Sequence, residues 1–263
     1  MSRTRVDGAD RRVDRRPLPL ALVAERSPTP AAAPLPVLSM HAMYVCDGAH
    51  VDGYLSRPVD VGPWPAIVVG HSYRGLTPFY REWSRRLAAE GFVVLVPDLY
   101  EGHVAADDAE AARLKASLDF DRAARQLAGA RGYLRGLPFV RDAFGITGHC
   151  LGGGLALMAL ARSETDAFAC AVIYYHSVYP DDAELRRIHC PVLGHFGTAD
   201  ALTPRAEVEK LEQALHDAGQ PFQAEWYEGM GHAFANRADP TPDQRAASEA
   251  AWVRTIAFFR SHL

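Results

Sequence analysis

The chain has 263 residues, 48% of them hydrophobic, enough to bury a sizeable core within one α/β domain. A net charge of −4 gives no support to nucleic-acid binding, and no apolar run approaches the roughly 20 residues that cross a bilayer. Four cysteines without a CxxC or disulfide-dense pattern point to a reducing, cytoplasmic compartment. The eleven histidines show no HExxH, HxH or clustered Cys/His spacing, so no metal or other cofactor is expected.

Residues 1–39 differ from the remainder. Arg3, Arg5, Arg11, Arg12, Arg15, Arg16 and Arg26 stand against Asp7, Asp10, Asp14 and Glu25, and Pro28-Thr29-Pro30-Ala31-Ala32-Ala33-Pro34 follows. Such a segment cannot bury enough apolar surface to offset its ordering entropy. The twin arginines before Pro17-Leu18-Pro19-Leu20-Ala21-Leu22-Val23-Ala24 invite an export-signal reading. That apolar stretch is short, contains two prolines and runs into Glu25-Arg26 without a clean cleavage site. The segment reads as a disordered leader, or as an over-extended reading frame with Met40 or Met43 as the start, ahead of a single domain over residues 40–263.

From Met40 the organisation is regular. Residues 40–46 and 51–55, separated by Asp47-Gly48, read as an opening hairpin. Residues 66–70 and 93–97 are continuous apolar runs, as strands of a sheet covered on both faces require. Between them Phe79, Trp83 and Leu87 recur every four residues, the packing stripe of a helix that starts after Pro78. Residues 107–137 read as a long helical region broken near Gly129 or Gly132. Ala143-Phe144-Gly145-Ile146-Thr147-Gly148 is a short buried strand, and a small-residue helix opens after Leu151. Residues 169–175 and 191–197 are further buried strands, Val208, Leu211 and Leu215 mark a helix, residues 222–227 are β-prone, and residues 242–259 form a C-terminal helix. This alternation gives an α/β fold, a mostly parallel central sheet with helices on both faces and no internal repeat.

One strand-to-helix junction carries nucleophilic chemistry. Gly148-His149-Cys150-Leu151-Gly152 sets a thiol between glycines two positions before and two after, the G-x-Nuc-x-G nucleophile elbow of α/β-hydrolases with cysteine in place of serine. A Cβ at either flanking position would crowd so tight a turn. The turn presents the thiol above the sheet at a helix N-terminus, where the dipole favours thiolate. The plain alternative is a glycine-rich turn with a small buried cysteine. Asp200, in the turn Thr198-Ala199-Asp200-Ala201-Leu202-Thr203-Pro204, and His232, in Glu228-Gly229-Met230-Gly231-His232-Ala233-Phe234, each follow a strand. They succeed Cys150 in the order nucleophile, acid, histidine, at intervals that each hold one strand–helix unit. Singly, Asp200 reads equally as a turn or N-cap aspartate and His232 as a surface loop histidine. All three in order, each at a strand end, form a candidate triad.

Gly148-His149-Cys150-Leu151-Gly152-Gly153, Phe196-Gly197-Thr198-Ala199-Asp200 and Gly231-His232-Ala233-Phe234-Ala235 resemble the three active-site blocks of the dienelactone hydrolase family, and Pro97-Asp98-Leu99-Tyr100 resembles its segment after an early strand. The resemblance runs from about Met40 to the C-terminus. It implies a single α/β-hydrolase domain with Cys150 as nucleophile, Asp200 as acid and His232 as base, and an oxyanion hole formed by the backbone N–H groups of Leu151 and Tyr73. Two departures are informative. Ser72, in Val69-Gly70-His71-Ser72-Tyr73-Arg74-Gly75, falls where the founding members carry a glutamate near the nucleophile. The positions that supply arginines to the substrate carboxylate fall at Glu101-Gly102 and at Asn236, with Arg237 one residue late. The triad matches and the carboxylate clamp does not, so dienelactone itself is not the expected substrate. Ser72, Tyr73, Arg74, Tyr100, His103 and Phe234 are candidate pocket residues, against a reading as ordinary loop residues, while His71 and His149 read as walls or supports of the site.

The expected activity is hydrolysis of a small ester, lactone or thioester through a Cys150 thioester, by a cytoplasmic monomer or homodimer. An alternative keeps the thioester but passes the acyl group to a nucleophile other than water, as a cyclase or acyltransferase. A non-catalytic α/β-hydrolase scaffold would not require Cys, Asp and His at these three loops.

Overall fold

The computed structural model describes residues 33–163 and 167–263, so the expected leader lies outside the described residues except for residues 33–39. Two of the apolar runs, β3 (Trp64–Gly70) and β4 (Val93–Pro97), pair in parallel with Ala66, Ile67 and Val68 opposite Val93, Val94 and Leu95. Successive side chains of β3 enter different cores: Ala66 and Val68 face one, Ile67 and Val69 the other. Burial on both faces is why these strands show no polar alternation. The opening hairpin is β1 (Val37–Cys46) and β2 (Ala49–Pro58), turned at Asp47 and Gly48, whose φ values of 51° and 76° suit a tight hairpin turn. Its first strand begins at Val37, opposite Pro58, three residues before the expected start at Met40. The expected leader boundary is corrected accordingly, since Val37, Leu38 and Ser39 already belong to the sheet.

The remaining strands are β5 (Val140–Cys150), β6 (Cys170–His176), β7 (Val192–Gly197) and β8 (Phe222–Tyr227). The sheet order is β1-β2-β4-β3-β5-β6-β7-β8, parallel from β4 onward, with β1 and β2 antiparallel at one edge. Helices α1 (Pro78–Ala89) and α7 (Pro242–His262) cover one face. Helices α3 (Phe120–Arg135), α4 (Leu151–Arg162) and α6 (Arg205–Asp217) pack against the other. In α1 Trp83 and Leu87 are buried as the periodicity predicts, and Tyr80 joins them ahead of the half-buried Phe79.

The long helical region is divided, but not at a glycine. Helix α2 (Asp108–Ser117) ends at Leu118, and α3 starts from Asp119, whose carboxylate accepts the Arg122 N–H at 3.0 Å. Asp107 caps α2 in the same way through the Glu110 N–H, at 2.8 Å. An aspartate cap satisfies a donor that an uninterrupted helix would bond internally, and here it sets the boundary. Gly129 stays inside α3 because the Cys46 sulfur packs 3.1 Å from where its Cβ would stand.

Candidate active site

Strand β5 delivers Cys150 at its C-terminal end, and α4 begins at the next residue. Cys150 itself adopts φ 57° and ψ −116°, a conformation that costs a non-glycine residue about 1–3 kcal/mol and persists only where the surroundings enforce it. The enforcing contacts are backbone on backbone. A Cβ on Gly148 would collide with the Gly152 carbonyl, and one on Gly152 with the Gly70 carbonyl. The glycine spacing thus lets β3, β5 and α4 meet. Gly152→Ala is expected to destabilise the fold by about 3 kcal/mol, the cost of overpacking against backbone that cannot rotate away. Urea unfolding measures it, and an unchanged midpoint would mean that β3 and α4 can separate freely.

Asp200 sits in the turn after β7, with Oδ1 accepting the N–H groups of Leu202 at 2.8 Å and Thr203 at 3.0 Å. Its Oδ2 lies 2.8 Å from Nδ1 of His232, in the loop after β8. An ionised carboxylate only accepts, so Nδ1 carries the proton and donates. The two loops are stitched together: Thr198 N–H donates to Tyr227 at 3.0 Å, Ala199 N–H to Met230 at 3.0 Å and Gly229 N–H to Thr198 Oγ1 at 2.8 Å. The imidazole packs on the Tyr175 ring, centroids 4.8 Å apart. Tyr175 donates its hydroxyl to Asn236 at 2.9 Å, Asn236 donates to Tyr80 Oη at 3.4 Å, and Tyr80 Oη accepts the Ser72 N–H at 2.8 Å. The histidine loop is thereby tied to the loop after β3.

Cys150, His232 and Asp200 are electrostatically one unit. Burial pushes the Cys150 thiol up, but hydrogen bonding and charge from His232, with the Ser177 hydroxyl and the Leu151 N–H, outweigh it and hold the thiol below its ordinary range. Burial pushes the His232 imidazole down, and Asp200 and Cys150 more than reverse this, raising it to about 9. Burial likewise raises Asp200, against which His232 and the two backbone N–H groups keep the carboxyl below the usual range. Nε2 of His232 has no partner of regular hydrogen-bond geometry among the described residues, and it interacts with the Cys150 sulfur at looser geometry. Looser contacts of this kind tighten when substrate fills a site. The N–H of Tyr73, in the loop after β3, also lacks a partner among the described residues, and the N–H of Leu151, opening α4, is turned to the Cys150 side chain.

The other residues singled out from the sequence divide. Tyr100 is buried, and its hydroxyl, without a partner among the described residues, lies within the electrostatic reach of Cys150. Ser72 is buried beneath the loop, while Tyr73 and Arg74 both bond Asp108 at the start of α2. His103 is exposed and bonds the Tyr100 carbonyl through Nδ1 at 2.8 Å. Phe234 is corrected from pocket wall to core: it is 1% exposed, packed between Tyr175 and Tyr227 behind the histidine loop. Its place two positions after His232 does not reveal which way the ring turns, and Ala233, at φ 63°, redirects the chain there. His71 is a strut, with Nδ1 donating to Ser72 O at 2.8 Å and Nε2 accepting the Leu99 N–H at 3.0 Å. His149 is wholly buried and stacked on Tyr174 at 4.3 Å, and desolvation lowers it to about 3. Sequence reasoning missed Ser177, Tyr175 and Lys115. The one available signal was that Tyr175 and Ser177 bracket the C-terminal end of β6, the sheet edge where such sites form.

Among the described residues, no three His, Cys, Asp or Glu side chains converge as a metal site, and no helix is long and apolar enough to cross a membrane. A mostly parallel sheet with a strained cysteine at a strand–helix elbow, followed by an aspartate and a histidine at successive strand ends, is the architecture of an α/β-hydrolase. Residues 51–263 match the model of the dienelactone hydrolase family, and the chain belongs to that family. It is a carboxylic ester or lactone hydrolase. Carboxymethylenebutenolidase of Rhodococcus opacus is 28% identical over 257 residues, covering 94% of this chain and 94% of its own. Carboxymethylenebutenolidase 1 of Cupriavidus pinatubonensis is 31% identical over 219 residues, 80% of this chain and 91% of its own. Among solved structures, a dienelactone hydrolase-like promiscuous phosphotriesterase from metagenomic libraries shares the fold, with a TM-score of 0.76 at 20% identity over 88% of this chain and 99% of that one.

Proposed function

We propose that the protein hydrolyses a small ester or lactone through a thioester on Cys150, with His232 as acid–base and Asp200 as its orienting acid. The observation that supports this reading is the 2.8 Å contact of Asp200 Oδ2 with His232 Nδ1, on a histidine that shares the site with the strained Cys150; the thiol is held down and the imidazole up accordingly. The reactive form of the pair is then thiolate and imidazolium. The thiolate attacks the carbonyl carbon, and the oxyanion accepts the N–H groups of Leu151 and Tyr73. As the tetrahedral species collapses, the C–O bond breaks and His232 gives its proton to the departing alkoxide. Water then attacks the thioester while His232 takes its proton. The second collapse expels the Cys150 thiolate and releases the acid. Asp200 keeps Nδ1 protonated throughout, so that Nε2 is the group that exchanges protons. Free thiols at Cys150, Cys170 and Cys190 support a cytoplasmic location.

Both relatives described above carry the name carboxymethylenebutenolidase, yet the substrate proposed here is not dienelactone. Glu101 is an acid, paired with Arg122 at 3.2 Å. Asn236 is neutral and engaged with Tyr175 and Tyr80, and Arg74 is paired with Asp108. A missing charge-assisted contact costs about 1.5–3 kcal/mol, or about ten- to a hundredfold in binding. The expected result is a kcat/KM on dienelactone well below that on neutral short-chain esters, not restored by Ser72→Glu alone. Steady-state kinetics on both substrates tests the reading. Failure to turn over any ester would overturn the hydrolytic proposal. A strong preference for the anionic lactone, lost in Arg74→Ala or Arg237→Ala, would show that the clamp had moved.

A further inference from the structure

Strand β6 pairs with β5 so that His176 lies opposite Cys150, and the chain continues into Ser177. The Ser177 N–H donates to the Cys150 carbonyl at 3.3 Å, which fixes this serine against the backbone of the strained residue. On its other side stands Lys115 of α2, half-buried, with Nζ donating to the Ser177 carbonyl at 3.2 Å and to Ser177 Oγ at 3.3 Å. A hydroxyl oxygen that accepts from an ammonium keeps its own hydrogen free to donate elsewhere. That hydrogen has no regular acceptor among the described residues, and the Cys150 sulfur, whose thiol the serine hydroxyl helps to hold low, is the acceptor left open to it. The positive end of the array is Lys115, which bonds the serine hydroxyl directly.

Other titratable groups face the sulfur from several elements. Tyr80 of α1, Tyr100 after β4 and Tyr175 of β6 are buried phenols that desolvation keeps neutral. His176 is pushed down by burial to about 4 and is neutral near pH 7. Among the described residues, His232 beside the sulfur and Lys115 on Ser177 are the cations of this array. Arg74 is occupied by Asp108, and Asp200 acts through His232.

We propose that Ser177 is a catalytic residue that donates its hydroxyl to the Cys150 sulfur, and that Lys115 is a positioning residue that orients and polarises that hydroxyl. The proposal rests on Cys150 as nucleophile. It gives the thiolate a second support, independent of His232, at a site where the loop after β3 presents the uncharged Ser72.

The test follows alkylation of Cys150 itself by iodoacetamide across pH, resolved by peptide mass spectrometry so that the other cysteines do not contribute. Ser177→Ala should raise the midpoint by about one pH unit, the worth of one hydrogen bond to a charged group. Lys115→Met should raise it by a similar or smaller amount, and the double variant should go no further than Ser177→Ala, because the two act in series. Ser177→Thr and Lys115→Arg should restore most of the shift. On p-nitrophenyl acetate the acylation rate near neutral pH should fall about tenfold with KM little changed, since the ester carries no charge for Lys115 to bind. Unchanged midpoints in both single variants would overturn the proposal. So would an additive double variant, or a Lys115→Met effect confined to KM for anionic esters, which would make the lysine a substrate contact. Because alkylation is read without turnover, these failures are distinct from a failure of the nucleophile assignment, which Cys150→Ala reports.

Discussion

Cys150→Ala is expected to abolish ester turnover, by about 10⁴-fold or more, while the far-UV circular dichroism stays that of the parent. In the proposed mechanism this residue forms the covalent bond, and no other side chain at the elbow could replace it. Its removal leaves only a small void beneath the loop after β3. Cys170→Ala and Cys190→Ala provide the contrast. Both thiols are buried, and desolvation pushes them up, Cys190 to about 12, so neither is a thiolate at working pH. Each replacement should keep most activity and cost about 1 kcal/mol of stability. Mass spectrometry of the parent during turnover of p-nitrophenyl acetate should find the acetyl group on the Cys150 peptide. Near-normal turnover in Cys150→Ala with unchanged dichroism would remove this residue from the mechanism.

His232→Ala should lower acylation by about 10³–10⁴-fold, and Asp200→Asn by less, because the acid orients the base and does not itself transfer the proton. The pH dependence has a definite sign. The Cys150 thiol is lowered and His232 is raised to about 9, so the thiolate–imidazolium pair exists between those limits. Below the lower limit the thiolate takes a proton, and above about 9 the imidazolium loses the one that the leaving group needs. The two limbs of the kcat/KM profile belong to the coupled pair rather than to either residue alone. Asp200→Asn removes the anion that supports the imidazolium, and its alkaline limb should move to lower pH. A profile from pH 5 to 10 checks both statements. Total and equal loss in the two variants, with the fold intact, would give Asp200 a different role, and full activity in His232→Ala would sink the proton-transfer role.

Much of this was legible in the sequence, for reasons that differ from residue to residue. β3 and β4 show as apolar runs because both of their faces are buried, and the elbow shows because backbone contact at Gly148 and Gly152 excludes every side chain. Asp200 and His232 are visible through their order and their places after strands, and the fold brings them within 2.8 Å of each other. The break between α2 and α3 was misplaced because glycine is a weak helix breaker beside an aspartate able to cap. Phe234 was misread because an aromatic ring near a histidine looks the same whether it faces a ligand or a core. Lys115 and Ser177 carry no motif. One reads as a helix-surface lysine and the other as a loop serine, and only the crossing of α2 over the end of β6 joins them.

The hydrogen bonds from Ser72 through Tyr80 and Asn236 to Tyr175 have a consequence for traffic through the site. They hold the walls contributed by β3 and β8 to one another, with Ser72, Tyr80 and Tyr175 buried and Asn236 half-buried. The side formed by α2 is fastened to the loop after β3 through Asp108, a largely exposed residue whose ion pair with Arg74 competes with solvent. Any loosening on that side must also break the bonds of Lys115 to Ser177, so passage over α2 and the setting of the serine are coupled, while the ladder from Ser72 to Tyr175 need not loosen for either.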